Sequence, residues 1–251
     1  MMIDIDEARD WQGQEINCAD CRHCALLTAG KCGLKHACVQ DRYARRIDRF
    51  FAWNPELANE YLEHRYFEVR AVAAKYADVF HLKRLCSDAD ETVRWSAAQR
   101  LPQRQLLEMR NDPHREVRIR VANRLTGADL FPMMQDHDYY VRMVVARRIP
   151  ASMLQLMMRD REPAVRRIVA QRIDAAWLAL LAADAEADVR LEAARRLRPD
   201  QLVWLLRDPD CRIRHEAASR MSVDDLPKLL GDADALVRDV ARQRLLDQRT
   251  A

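Results

Sequence analysis

A Val/Ile-Arg pair returns every 24 residues along most of this chain, with Val69, Val93, Val117, Val141, Val165, Val189, Ile213 and Val237 in the first place. Arg70, Arg94, Arg118, Arg142, Arg166, Arg190, Arg214 and Arg238 follow directly. Thirteen residues after each of the first seven Val/Ile positions stands a Leu, from Leu82 to Leu226, and nineteen after them an Asp, from Asp88 to Asp232. Independent globular domains have no reason to hold such a phase. One supersecondary unit, copied and stacked on itself, does, because each copy buries its apolar face only against its neighbours.

The segment Asp112 to Leu125 shows what one unit contains. Asp112 has the chemistry of a helix N-cap and Pro113 that of a first helical residue, and Asp208-Pro209 repeats the pair. Val117, Val121, Ala122 and Leu125 then share one stripe, which predicts a helix of about 13 residues. It should end near Leu101, Leu125, Ile149 and Ile173, where Pro102, Thr126, Pro150 and Asp174 come next. About 8 residues remain, with apolar pairs three apart such as Leu82/Leu85, Leu106/Met109 and Leu154/Met157, a spacing that suits a 3₁₀-like or two-turn helix. A pair of full helices needs roughly 40 residues per unit and does not fit. Small residues, as in Ala97-Ala98 and Ala193-Ala194, let successive helices approach closely.

The recurring Arg lies at the edge of the apolar arc, about 100° round from the Val. One reading makes Arg70 and its seven equivalents a partner-binding face for phosphates or an acidic protein. The favoured reading is a structural ladder, each Arg meeting the recurring Asp or helix-end carbonyls of a neighbouring repeat, because bidentate pairing demands fixed geometry. A second column, Arg100, Arg124, Arg148, Arg172, Arg196, Arg220 and Arg244, closes each main helix and complements its dipole. In the last repeat Arg242 replaces a small residue, and Asp239 and Gln243 add polarity, as an end cap requires. With both ends of the stack closed, a monomer is expected.

Charge is balanced at +3 although a third of the chain is ionisable, which predicts no general affinity for polyanions. No apolar run approaches the roughly 20 residues of a membrane span. The acidic stretch Met1 to Asp10 has no secretory pattern, so a cytoplasmic location is expected. Seven cysteines are an odd number, and five crowd into the spacing Cys18-x2-Cys21-x2-Cys24-x7-Cys32-x5-Cys38. In a reducing compartment that density reads as a metal site, with four of the five as ligands and the spare among the first three. Gly30 and Gly33 supply the flexible backbone such a loop needs. Zinc, with His23 or His36 as a substitute donor, and a cubane iron–sulfur cluster both answer to this donor set. Cys86 and Cys211 occupy repeat positions and read as packing or surface residues.

Between the cysteines and the repeats, Val39, Tyr43, Ile47 and Phe50 recur at helical spacing with Arg42, Arg45, Arg46 and Arg49 around them, which predicts an amphipathic helix capping the first repeat. Asn54-Pro55 opens a second short helix through Leu57, Tyr61 and Leu62. Two parts are thus expected: a cysteine-rich module over residues 1–65 and a solenoid of eight repeats over 66–251.

The motif Asp-x-Asp/Glu-x-x-Val-Arg-x-x-Ala-Ala-x-Arg-Leu-Pro, behind the Cys18 to Cys38 cluster and the run Asp41-Arg42-Tyr43-Ala44-Arg45-Arg46-Ile47-Asp48-Arg49-Phe50-Phe51, closely resembles the leucine-rich-repeat-variant iron–sulfur proteins of nitrogen-fixing bacteria. The resemblance covers nearly the whole chain. It implies an all-α fold of alternating α- and 3₁₀-helices in a right-handed superhelix, with a [4Fe-4S] cluster in the N-terminal module. It favours that cluster over zinc and names no function. The reading that follows is a protein-interaction scaffold whose cluster serves electron transfer or redox sensing, with nucleic-acid binding through the Arg columns as the alternative. Against an enzyme stand the missing C-x3-C-x2-C radical signature, Gly-rich phosphate loop and nucleophile elbow.

Overall fold

The computed structural model of the chain describes residues 7–250, and side chains as far as residue 248. The opening of the acidic leader, Met1 to Asp6, lies outside the described residues. Two compact units form, Met1–Asp129 and Leu130–Ala251. Among the described residues the only β pairing consists of isolated bridges at Arg9/Glu15, Asp10/Asp41 and Gly33/Ala37.

In the first unit, α1 (Cys24–Thr28) and α2 (Ala44–Trp53) precede a 3₁₀-helix, Pro55–Tyr61, with Pro55 in its first turn. The repeats follow as α3 (Phe67–Tyr76), a 3₁₀ segment Val79–Ser87, α4 (Glu91–Ala98), the short α5 (Gln103–Leu106) running into 3₁₀ turn Leu107–Met109, and α6 (Arg115–Arg124). A further 3₁₀ segment covers Gly127–Gln135. The second unit alternates α7 (Tyr139–Arg148), 3₁₀ Ala151–Met157, α8 (Pro163–Arg172), 3₁₀ Ala175–Trp177 leading into α9 (Leu178–Leu181), and α10 (Ala187–Ala194). It closes with 3₁₀ Pro199–Leu205, α11 (Cys211–Arg220), 3₁₀ Val223–Leu229 and α12 (Ala235–Thr250). The fold is all-α, with α and 3₁₀ elements in alternation as the spacing implied.

The helices are shorter than 13 residues: α3, α6, α7, α8 and α11 have 10, and α4 and α10 have 8. They stop where the sequence places the stop but start later. Asp112 is not the N-cap of α6; His114 is. The true Asp caps with side-chain bonds are Asp90, Asp138, Asp210 and Asp234, which accept from the amides of Thr92, Tyr140, Arg212 and Leu236 at 2.8–2.9 Å. Asp112 instead folds the chain just upstream, accepting the amide of His114 at 2.8 Å. That turn occupies the residues assigned to a first helical turn, so Pro113 and Pro209 precede their helices rather than open them.

Val, Leu and Ala of the motif build the core. Val93, Val117, Val165 and Val189 are fully buried, as are Leu82, Leu106, Leu154 and Leu202 from the second elements. Ala97, Ala98, Ala122, Ala146, Ala193 and Ala194 are also fully buried, so the helix backbones meet where side chains are smallest. At the start of the stack α2 lies against α3 and the 3₁₀-helix Pro55–Tyr61. Its buried Ile47, Phe50 and Phe51 cover the first repeat. The helix begins at Ala44, not at Val39, because Tyr43 is extended as its N-cap. One of its arginines is not solvated: Arg46 is buried, 2.9 Å from Asp41 and over the ring of Tyr43.

Candidate metal centre

Two consecutive tight turns bring the first three cysteines onto the wall of one pocket. The Cys21 amide donates to the Cys18 carbonyl at 3.3 Å and the Cys24 amide to the Cys21 carbonyl at 3.0 Å. After α1, Gly30 adopts φ +68°, the left-handed conformation that lets the chain reverse. Gly33 does not need that freedom; it pairs with Ala37 in both directions at 2.8 and 2.9 Å. The left-handed residue of this second turn is Lys35, at φ +61°. Cys32 and Cys38 flank the turn and come back onto the first three cysteines.

All five thiols line one pocket, walled by Ile16, His23, Leu27, Leu34, Val39 and Phe50. Cys38 is buried, Cys18, Cys21 and Cys32 are half-buried, and Cys24 is exposed. Burial pushes the Cys38 thiol up to about 11. Cys18 and Cys32 are raised by burial and then by the neighbouring Cys21. Among the described residues, no three His, Cys, Asp or Glu side chains converge on a single-ion position.

His23 and His36 part company. The His23 ring is buried, packs on Phe50, and uses Nε2 on the Tyr61 hydroxyl at 2.5 Å. Its backbone serves the thiols: the amide donates to Cys21 Sγ at 3.5 Å, and the carbonyl accepts from Cys32 Sγ at 4.0 Å. His36 tilts against Trp53 and is not part of the pocket wall. The donor set is therefore sulfur, and an all-sulfur set selects zinc or iron–sulfur groups over hard cations. Apolar walls make an uncompensated thiolate unfavourable, and neighbouring thiolates repel each other. A cationic metal core offsets both, so these residues fit such a group.

The Arg column takes the other path foreseen for it. Arg70, Arg94, Arg142, Arg166, Arg190 and Arg214 each place Nε and Nη2 on both carboxylate oxygens of Asp88, Asp112, Asp160, Asp184, Asp208 and Asp232, at 2.7–3.0 Å. Nη1 donates to carbonyls at the preceding loop, for Arg94 those of Asp88 and Ala89. Arg118 and Arg238 make the same carbonyl contacts, to Asp112 and Asp232. The second column caps a helix other than its own. Arg100 donates to the carbonyls of Ala74 and Ala77, Arg196 to Ala170 and Ile173, and Arg244 to Ala218 and Met221, each one repeat back. Periodicity located both columns; only the fold reveals that one residue type closes two different gaps.

Alternating α and 3₁₀ elements on a 24-residue period, behind a pocket lined by five thiols, define a helical-repeat protein with a sulfur-rich N-terminal module. Residues 8–60 match the family described as the LRV protein FeS4 cluster. A solved structure titled "a leucine-rich repeat variant with a novel repetitive protein structural motif" is 42% identical, with a TM-score of 0.88 over 91% of this chain and 98% of that one. The chain belongs to the leucine-rich repeat variant family. It is also similar to the "uncharacterized 27.7 kDa protein in nifB 3'region" of Rhodobacter capsulatus, 54% identical over 96 residues. That match spans 38% of this chain and 39% of the relative.

Proposed function

We propose that the pocket houses a [4Fe-4S] cluster on Cys18, Cys21, Cys32 and Cys38, and that the repeats form a protein-interaction scaffold around this redox centre. The observation behind the first part is the exposure gradient among the five thiols of the pocket: Cys18, Cys21, Cys32 and Cys38 are buried or half-buried, whereas Cys24 is exposed to solvent. The spare ligand then falls among the first three cysteines. Bound there, a cluster supplies one-electron redox chemistry. Thiols spread around a pocket suit a group with several metal corners, whereas one zinc wants four donors at about 2.3 Å. The buried Phe50 and Val39 keep water off the inner side of the pocket. His23 fixes the loop through Tyr61 while its amide and carbonyl meet Cys21 and Cys32.

The scaffold half rests on the repeat fold, since stacked repeats offer an extended surface suited to macromolecules. A protein partner is proposed over nucleic acid because the Arg forks are spent on carboxylates and carbonyls inside the stack. A link with nitrogen fixation, through electron transfer or redox sensing, rests on the nifB neighbourhood in the relative's name. A cytoplasmic location belongs to the same reading; no helix among the described residues is long and apolar enough to cross a membrane.

Anaerobically purified protein should be brown, carry about four iron and four sulfide per chain and show a cluster EPR signal on reduction. C24S should keep that stoichiometry. C18S and C38S should lose it, while circular dichroism shows the repeats still folded. Colourless protein with one zinc, or equal iron loss in C24S and C18S, refutes the assignment.

A further inference from the structure

Both ends of one short element reach the cysteine loop. The 3₁₀-helix Pro55–Tyr61 lies against α2 and against α3, the first helix of the repeats. Just before its start Asn54 is wholly buried, and its Nδ2 donates to the Lys31 carbonyl at 2.8 Å and to the Phe50 carbonyl at 2.9 Å. Lys31 directly precedes Cys32, so the first of these bonds fixes the peptide that leads into that thiol. At its end Tyr61, 4% exposed, places its hydroxyl 2.5 Å from His23 Nε2. His23 stands two residues after Cys21, and its own amide donates to Cys21 Sγ at 3.5 Å.

Packing calls for neither polar group. Phenylalanine would fill the space of Tyr61, whose ring already meets Phe50 and Phe51 edge-on. Asn54 leaves its Oδ1 buried without a hydrogen-bond partner, a cost that an apolar side chain would avoid. What the two residues share is the loop they hold. Each anchors a group next to a thiol, and both belong to the element that touches the repeats.

We propose that Tyr61 and Asn54 are positioning residues of the metal centre, Tyr61 acting through His23 on Cys21 and Asn54 through the Lys31 carbonyl on Cys32. The inference rests on the cluster reading given above. Ligation removes the thiol hydrogens, so the 4.0 Å contact from Cys32 Sγ to the His23 carbonyl is lost, whereas the amide bond to Cys21 becomes charge-assisted and stronger. One-electron reduction puts more negative charge on the sulfurs, and an amide held against one of them stabilises that state most. Tyr61 therefore holds the reduction potential up. Asn54 grips carbonyls rather than sulfur, so it governs how readily Cys32 leaves the metal.

Full-length holoprotein tests both arms, with dithionite as the reductant in an EPR-monitored potential titration and a chelator to read iron release. Y61F keeps the ring packing and loses one hydroxyl, and its potential should fall below that of the wild type. H23L should fall with it. H23Q, whose amide can still meet the Tyr61 hydroxyl, should stay near the wild type. N54S should lose iron about 10-fold faster than the wild type. Circular dichroism should show the repeats folded in every variant. If Y61F or H23L takes up no iron with its repeats folded, retained loading in H23Q supports the same role for Tyr61. An unchanged or raised potential in Y61F overturns that role, as does an H23Q that behaves like H23L. Iron release from N54S at the wild-type rate overturns the role of Asn54. Failure of the cluster reading shows separately, in the metal content of the wild type. With zinc in the pocket, zinc release from Y61F and N54S against the wild type still decides whether these residues position the thiols.

Discussion

At the scale of single residues, the recurring Asp carries two duties at once. Asp160 turns the chain by accepting the amide of Glu162 at 2.9 Å, and offers both oxygens to Arg142. Removing Arg94 strands Asp112, whose side chain is only 4% exposed, and should cost about 3 kcal/mol. R94K should recover part of this, since an ammonium cannot fork; chemical denaturation reads both. Acid reveals the same pairs. For Asp160 and Asp184 burial pushes the carboxyl up, yet the Arg fork, the turn amide and the Arg charge outweigh it and hold it below the usual range. Asp232, where the Arg214 fork is the main cause, is held low too. Such groups add stability that is complete above the unfolded value of about 3.9 and is lost as pH falls through the lower folded value. Glu68 opposes them: burial and then Asp90 raise it, so its share is lost as pH rises. The melting temperature should ease down as pH falls from about 7 to 5, because burial holds His23 and His64 below the usual imidazole range, and should drop steeply below about 4, where several carboxylates outweigh one. An R142Q,R166Q variant should show a shallower drop, and an equally steep one would disprove the ladder's role.

At the scale of the element, the alanines and caps make separate predictions. Ala122 and Ala146 are fully buried, so A122L or A146L should overpack the stack by roughly 1–3 kcal/mol. D90A removes a cap whose oxygen takes the Thr92 amide and should cost about 1 kcal/mol, read by thermal denaturation. Much of the element plan was legible in the sequence, since a period of 24 fixes the unit and residues such as Pro102 and Pro150 fix where helices stop. The starts were misplaced because two Asp residues stand close together, as at Asp88 and Asp90, and only the second caps. Nothing local separates a turn Asp from a cap Asp; the difference lies in Arg70, eighteen residues back. The candidate site was half legible. Spacing located the five cysteines, but exposure ranks them, and exposure comes from Phe50 and Val39, which the spacing does not contain. The role of His23 was also hidden, since Tyr61 lies 38 residues away.

At the scale of the whole molecule, stability is a sum over repeats and the junctions between them. Deleting residues 165–188 should therefore leave a helical, cooperatively folding chain with a lower melting temperature, whereas deleting 165–184 should leave one that does not fold. Circular dichroism distinguishes the two. In the first deletion Arg142 keeps Asp160, Arg190 keeps Asp208, and Arg190 finds the Asp160 carbonyl in place of that of Asp184. The ladder thus behaves as a reading frame written in salt bridges. A gene that gains or loses whole units keeps every sentence grammatical, and one that slips by a few codons does not. Duplication can lengthen such a protein without inventing a single new contact, which is how a 24-residue beat survives from Val69 to Val237.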